Sequence, residues 1–133
     1  MGSLLQQCRD IVVIGAGPAG MWAAISAARR GLSVSICEKG KQPGLKLRAS
    51  GGGRCNITNT LPVGKIMDSF GAHGRYMTPA LAAMGPTDLR QHLALLGVET
   101  HAPDGFRVFP VSHRSQDVLD ALMTEIRELG IDF

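Results

Sequence analysis

The chain has 133 residues, is 44% hydrophobic and 19% charged, and carries a formal net charge of +3. These values suit one folded domain and exclude a disordered or strongly polyanion-seeking polypeptide. Three widely spaced cysteines exclude a disulfide framework or a CxxC zinc site, and no apolar run approaches a membrane span.

Residues 10–14 (DIVVI) are β-branched and apolar on both faces, which predicts a strand buried in a parallel sheet. The turn GAGPAG follows at residues 15–20. An alanine-rich stretch at 21–30 then predicts a helix, closed by Gly31. Residues 32–37 alternate as a second strand that Glu38 ends. Residues 39–76 are rich in Gly, Pro, Asn and Ser and read mostly as loop, with a short helix near 65–70. A helical turn is expected at 78–84. A clearer helix opens at Gly85-Pro86, with Leu89, Leu93 and Leu96 on one face and Gly97 at its end. Residues 98–101 and 106–109 read as a β-hairpin around Asp104-Gly105. Ser115 is the expected N-cap of a last helix to Leu129. Its core stripe is Val118, Leu119, Leu122, Met123, Ile126 and Leu129. Residues 131–133 begin a further strand, so the expectation is a truncated domain.

The first chemical motif is Gly15-x-Gly17-x-x-Gly20, set between a strand and a helix as a dinucleotide fingerprint requires. Gly15 permits the tight turn, Gly17 lets a pyrophosphate approach the backbone, and Gly20 lets helix and strand pack closely. The helix N-terminus offers N–H groups to the phosphates. Glu38 lies 18 residues after Gly20 at the end of the second strand. A carboxylate there accepts hydrogen bonds from both ribose hydroxyls and repels a 2′-phosphate. The fingerprint serves FAD and NAD alike.

The loop that follows, PGLKLRASGGGRCNITNT at residues 43–60, separates them. Basic residues gather between Lys39 and Arg54, at Lys39, Lys41, Lys46, Arg48 and Arg54, with no aromatic among them and too short a basic face for nucleic acid. The three glycines at 51–53 let backbone N–H groups face an acceptor closely. Lys46 and Arg54 offset diphosphate charge, while Asn56, Thr58 and Asn59 offer neutral partners to a ribityl chain or flavin edge. An NAD-binding module leaves this loop without a role.

Four segments, IVVIGAGPAGMWAA, CEKG, GLKLRASGGGRCNITN and GFRVFPVSHRSQDVLDAL, occur in that order over nearly the whole chain. The sequence thereby resembles the BaiN-like bacterial flavoproteins, a family of NAD(P)/FAD-dependent oxidoreductases that includes aminoacetone-oxidase-type FAD-binding enzymes. The resemblance implies an α/β, Rossmann-like FAD-binding domain of the glutathione-reductase-like type. It has a parallel sheet with flanking helices and a small β-hairpin, here as the N-terminal portion, residues 1–133. It implies FAD held by Gly15, Ala16, Gly17, Pro18, Ala19 and Gly20 of the turn and by Glu38 and Lys39. In the loop it implies Lys46, Ser50, Gly51, Gly52, Gly53, Arg54, Cys55, Asn56 and Thr58 along the cofactor. The expected function is hydride transfer through the flavin to or from a small-molecule substrate, with NAD(P)H as a candidate electron donor. The remainder of the same protein is the expected partner; no nucleic acid and no membrane is. A cytoplasmic location fits the unpaired cysteines. Two alternatives stay open, an NAD-binding module and a non-catalytic fragment without cofactor.

No residue stands out as an acid or base, so the catalytic residues are unassigned. Cys55 has no neighbouring thiol partner, and packing or loop structure is its expected role. His73, His92, His101 and His113 are scattered without ligand spacing, and no metal is expected.

Overall fold

The computed structural model describes residues 8–133. They divide into two compact units. One runs from the described start to Lys46 and resumes at Leu122–Phe133; the other is Leu47–Ala121.

In the first unit, strand β1 (Ile11–Ile14) pairs in parallel with β2 (Val34–Cys37), in the register Ile11↔Val34 to Ile14↔Cys37. Helix α1 (Pro18–Ala28) makes the crossover. It starts a turn earlier than its alanine content suggests, because proline at the first helical position surrenders only an N–H that would be orphaned anyway. Met21, Ala24, Ile25 and Ala27 bury its inner face, and Gly31 ends it at φ +84°. Asp10 ties the starts of the two strands together, accepting the Ser33 N–H at 2.8 Å and its Oγ–H at 2.7 Å. Those bonds hold the Asp10 carboxyl below its ordinary range.

Beyond Gly130 the chain adds a single parallel bridge, Ser35↔Asp132. The Ile36 N–H donates to the Asp132 carbonyl at 2.7 Å and the Asp132 N–H to the Val34 carbonyl at 3.1 Å. β2 is therefore paired on both sides. The expectation that β1 is buried on both faces needs correction: Val12 is 54% and Ile14 81% exposed. β-Branched composition reports preference for an extended backbone, and cannot tell which face is covered.

The second unit carries an antiparallel sheet in the order β3 (Thr58–Asn59), β5 (Arg107–Pro110), β4 (Thr100–His101). The expected hairpin is β4–β5, shorter than the alternation suggests. The Asp104 carboxylate closes it, accepting the Phe106 and Arg107 N–H groups at 2.9 and 2.7 Å. Helix α5 (Pro86–Leu95) buries Leu93, and Gly97 ends it at φ +81°.

The expectation that 39–76 is mostly loop is overturned, while the short helix expected near 65–70 is present at Val63–Asp68. The segment holds α2 (Leu45–Ala49), a 3-10 turn (Ser50–Gly53), β3, α3 (Val63–Asp68) and a second 3-10 turn (Gly71–Met77), with α4 (Thr78–Ala83) next. Short helical turns in glycine-rich sequence leave too little periodicity to read. Helix α6 (Ser115–Glu128) begins with Ser115 itself. Its hydroxyl is nearly buried and donates to the Arg48 carbonyl at 3.4 Å, so Ser115 lies inside the helix rather than at its N-cap. The apolar stripe is as expected, with Val118 and Leu119 buried in the second unit and Leu122 and Ile126 in the first.

Candidate cofactor site

In the first unit the turn after β1 is built by three glycines with different physical reasons. Gly15 takes φ +97°, which side chains resist. A Cβ on Gly20 would lie 2.0 Å from the Gly15 carbonyl oxygen and 3.3 Å from Val13 Cγ1, so only glycine lets α1 lie this close to β1. Gly17 is different. It sits at φ −77°, ψ 174°, open to any residue, and a Cβ there would meet nothing within 4 Å. The fold gives little reason for glycine at this position.

Gly17 is also the N-cap of α1, with no side-chain cap. A helix start of this kind presents N–H donors and the positive end of its dipole to an anion. Ala16 is buried, its carbonyl accepting the Gly44 N–H at 2.8 Å; Pro18 and Ala19 are exposed.

Glu38 is brought to the same turn. One carboxylate oxygen accepts the Ala16 N–H at 2.7 Å and the other the Gly40 N–H at 2.7 Å. These backbone donors, Ala16 first, hold its carboxyl below the ordinary range, so it is ionised at neutral pH. Each carboxylate oxygen has two acceptor positions. With one used by the backbone, each keeps one for a ligand hydroxyl, and a vicinal diol matches that pair. A cleft of about 610 Å³ adjoins Glu38, lined in part by Ile14, Cys37, Lys39, Asp132 and Phe133. It lies at the carboxyl ends of the strands, where open α/β sheets bind ligands. The free space at Gly17, the uncapped helix start and the spare carboxylate positions all fit the adenosine diphosphate part of FAD.

Lys46 is an exposed residue of α2. In the second unit, the loop that holds the other expected cofactor residues folds on Phe109 of β5. Gly51, Gly52 and Gly53 take φ +59°, +65° and +86°, and Cys55 follows at +62°. At Gly51 a Cβ would meet Phe109 Cε1 at 2.9 Å and the Asn56 nitrogen at 3.0 Å. The Arg54 guanidinium lies over the Phe109 ring, 4.6 Å from its centroid, and its Nε–H donates to the Gly51 carbonyl at 3.1 Å. Ser50 donates its hydroxyl to the Leu47 carbonyl at 3.0 Å. Thr58 pairs with Val108 in the sheet, and Asn56 is exposed. Cys55 is buried, and that burial pushes its thiol up despite the opposing Ser50 hydroxyl. A raised thiol is a poor nucleophile at neutral pH.

The structure thus joins the glycine turn to Glu38 within one unit and gathers Ser50 to Thr58 around Phe109 in the other. The role of Phe109 in this second cluster escapes sequence reasoning. Phe109 serves as the loop's platform only because β3 pairs with β5 far along the chain, in the register Thr58↔Val108 and Asn59↔Arg107. Arg48 places a buried Nε without a hydrogen-bond partner among the described residues, beside its carbonyl's bond to Ser115.

Residues 9–133 match the family model described as HI0933-like protein Rossmann domain. A ribosomal RNA dihydrouridine synthase of Escherichia coli is 32% identical over 124 residues, covering 93% of this chain and 30% of that protein. A 3-dehydro-bile acid delta(4,6)-reductase of Clostridium scindens is 34% identical over 122 residues, covering 88% of this chain and 28% of that protein. The chain therefore spans about a third or less of these relatives' length. The crystal structure of Thermovibrio ammonificans THI4 superposes with a TM-score of 0.57 at 16% identity, over 93% of this chain and 37% of that one. That likeness supports the Rossmann-type fold.

Proposed function

This chain belongs to the HI0933-like protein Rossmann domain family, and on that premise we propose that it is the FAD-binding portion of a flavin-dependent oxidoreductase. The observation that carries the proposal is Gly17, a glycine with ordinary backbone angles and empty space where its side chain would be. A ligand diphosphate passing over that position supplies the reason for glycine that the fold does not.

The residues divide the work. The turn from Gly15 to Gly20 and the start of α1 receive the diphosphate. Glu38 accepts the two ribose hydroxyls, and its charge turns away a 2′-phosphate. Lys39 and Lys46 add positive charge. Ser50, Gly51, Gly52, Gly53, Arg54, Cys55, Asn56 and Thr58 form the loop that runs along the rest of the cofactor. Bound FAD supplies hydride-transfer chemistry. NAD(P)H is the electron donor in this reading, a small molecule is the substrate, and the remainder of the parent protein completes the site in the cytoplasm. Dihydrouridine is uridine with two hydrogens added, and a delta(4,6)-reductase removes double bonds. Reduction of a carbon–carbon double bond is accordingly the reaction class we assign.

The test is an absorption spectrum after mixing with FAD and gel filtration, made on this chain and on the full-length parent. Co-eluting flavin, with bands in the near-ultraviolet and blue, is the expected result for the parent. A colourless parent that instead retains NAD would replace this proposal with the NAD-module reading, which the Glu38 geometry also accommodates.

A further inference from the structure

His101 and His113 stand apart in sequence, on β4 and on the turn after β5, yet their Nε2 atoms lie 3.0 Å from each other. Their ring centroids are 4.7 Å apart and the rings are nearly perpendicular, at 73°. Both anchors are set by the backbone. His101 is fixed by its register opposite Phe109, and His113 by a left-handed backbone at φ +55° with its N–H donating to the Pro110 carbonyl at 2.9 Å. Both residues are half-buried.

We propose that the juxtaposed Nε2 atoms of His101 and His113 chelate one divalent transition-metal ion of the zinc, nickel and copper class. The separation fits. Two imidazole nitrogens at metal bonds of about 2.0–2.1 Å lie about 2.9 Å apart at a right angle and about 3.3 Å apart at the tetrahedral angle. The observed 3.0 Å falls between these, and both rings must turn so that their Nε2 lone pairs leave each other and converge on the ion. Imidazole is the ligand type that these ions favour over magnesium or calcium.

The chemistry of exchange is simple. Without metal, two neutral imidazoles meeting at Nε2 share one N–H between them. Coordination requires both rings in the Nδ1–H form, which frees both Nε2 lone pairs by a tautomer change with no net gain or loss of protons. Two features limit the affinity. His113 Nδ1 is buried with no hydrogen-bond partner among the described residues. An outer-shell partner of that kind is worth on the order of ten- to a hundred-fold in affinity. No group of three or more His, Cys, Asp or Glu converges among the described residues, so water completes the coordination. The site is thus an exchangeable one with open positions, unlike a closed structural zinc centre.

The experiment titrates zinc chloride into the reduced full chain and follows the histidine rings by long-range nitrogen–proton correlation spectra, with calorimetry for stoichiometry. The expected result is one equivalent bound, with the Nε2 signals of His101 and His113 moving together. His101→Gln and His113→Asn should each weaken binding at least ten-fold; asparagine tolerates the left-handed backbone at 113. His73→Gln should leave binding unchanged. Amide spectra of each variant check that the sheet is intact. Unmoved Nε2 signals at saturating zinc would overturn the proposal. So would undiminished binding in the double variant, which would assign the metal to the exposed thiols of Cys8 or Cys37.

Discussion

Gly17 and Gly20 are three residues apart and identical in composition, and the structure gives them opposite roles. Gly20→Ala places a methyl group 2.0 Å from a backbone oxygen that cannot move without the strand. Overpacking of this kind costs about 3 kcal/mol or more. Gly17→Ala meets no atom within 4 Å and loses only N-cap preference, below about 1 kcal/mol. Urea unfolding should separate the two, with a large loss for Gly20→Ala and a small one for Gly17→Ala. On the proposed reading, cofactor retention by the Gly17→Ala parent should nevertheless fall by an order of magnitude or more, since the methyl group would occupy the path assigned to the diphosphate. Equal FAD retention by wild type and Gly17→Ala would remove the diphosphate from this position.

At the scale of elements, the short sheet of the second unit is held by Phe109 and by the Asp104 turn. Phe109 is 1% exposed and touches the loop both through the Gly51 approach and under the Arg54 guanidinium. Phe109→Ala should cost about 3–5 kcal/mol and unsettle Ser50 to Thr58, read as faster amide exchange in that loop. The Asp104 turn makes the hairpin pH-sensitive. The Arg107 guanidinium first, and then the Phe106 and Arg107 amides, lower the Asp104 carboxyl from 3.8 to about 2. A folded value below the unfolded one means the contribution is fully present above pH 3.8 and is lost as pH falls through about 2. Amide exchange of Phe106 and Arg107 should therefore be flat above pH 4.5, once the intrinsic pH dependence is divided out. Protection should fall through the acid range below 3.8. Protection that stays constant down to pH 2 would remove Asp104 from that role.

At the scale of the molecule, β1 leaves Val12 and Ile14 uncovered on one face of the parallel pair. Ile14→Thr removes apolar surface that is already 81% exposed, so the stability of this chain should change by no more than about 0.5 kcal/mol. Thermal melts of the two proteins should overlay. A substantial drop in the variant's melting temperature would mean that Ile14 is covered in solution. Among the described residues no helix is long and apolar enough to cross a membrane.

The legible parts of the molecule are those whose causes are local. The glycine turn, Glu38 at the end of β2, the glycine stop at Gly97 and the stripe of α6 each follow from a spacing of a few residues. Apart from α3, the segment 39–76 is illegible because its turns are too short for periodicity, and Ser115 is misplaced because its hydroxyl answers a carbonyl 67 residues away. The chain's order of residues by itself determined a strand–turn–helix–strand unit with a nucleotide-binding chemistry, since backbone angles, small side chains and helix polarity act over one or two turns. Only the tertiary structure decided that Gly17, unlike Gly20, is not required by the fold, that Phe109 carries the glycine loop, and that His101 and His113 meet. Those facts depend on strand register and on the space left between packed elements, which no local pattern encodes.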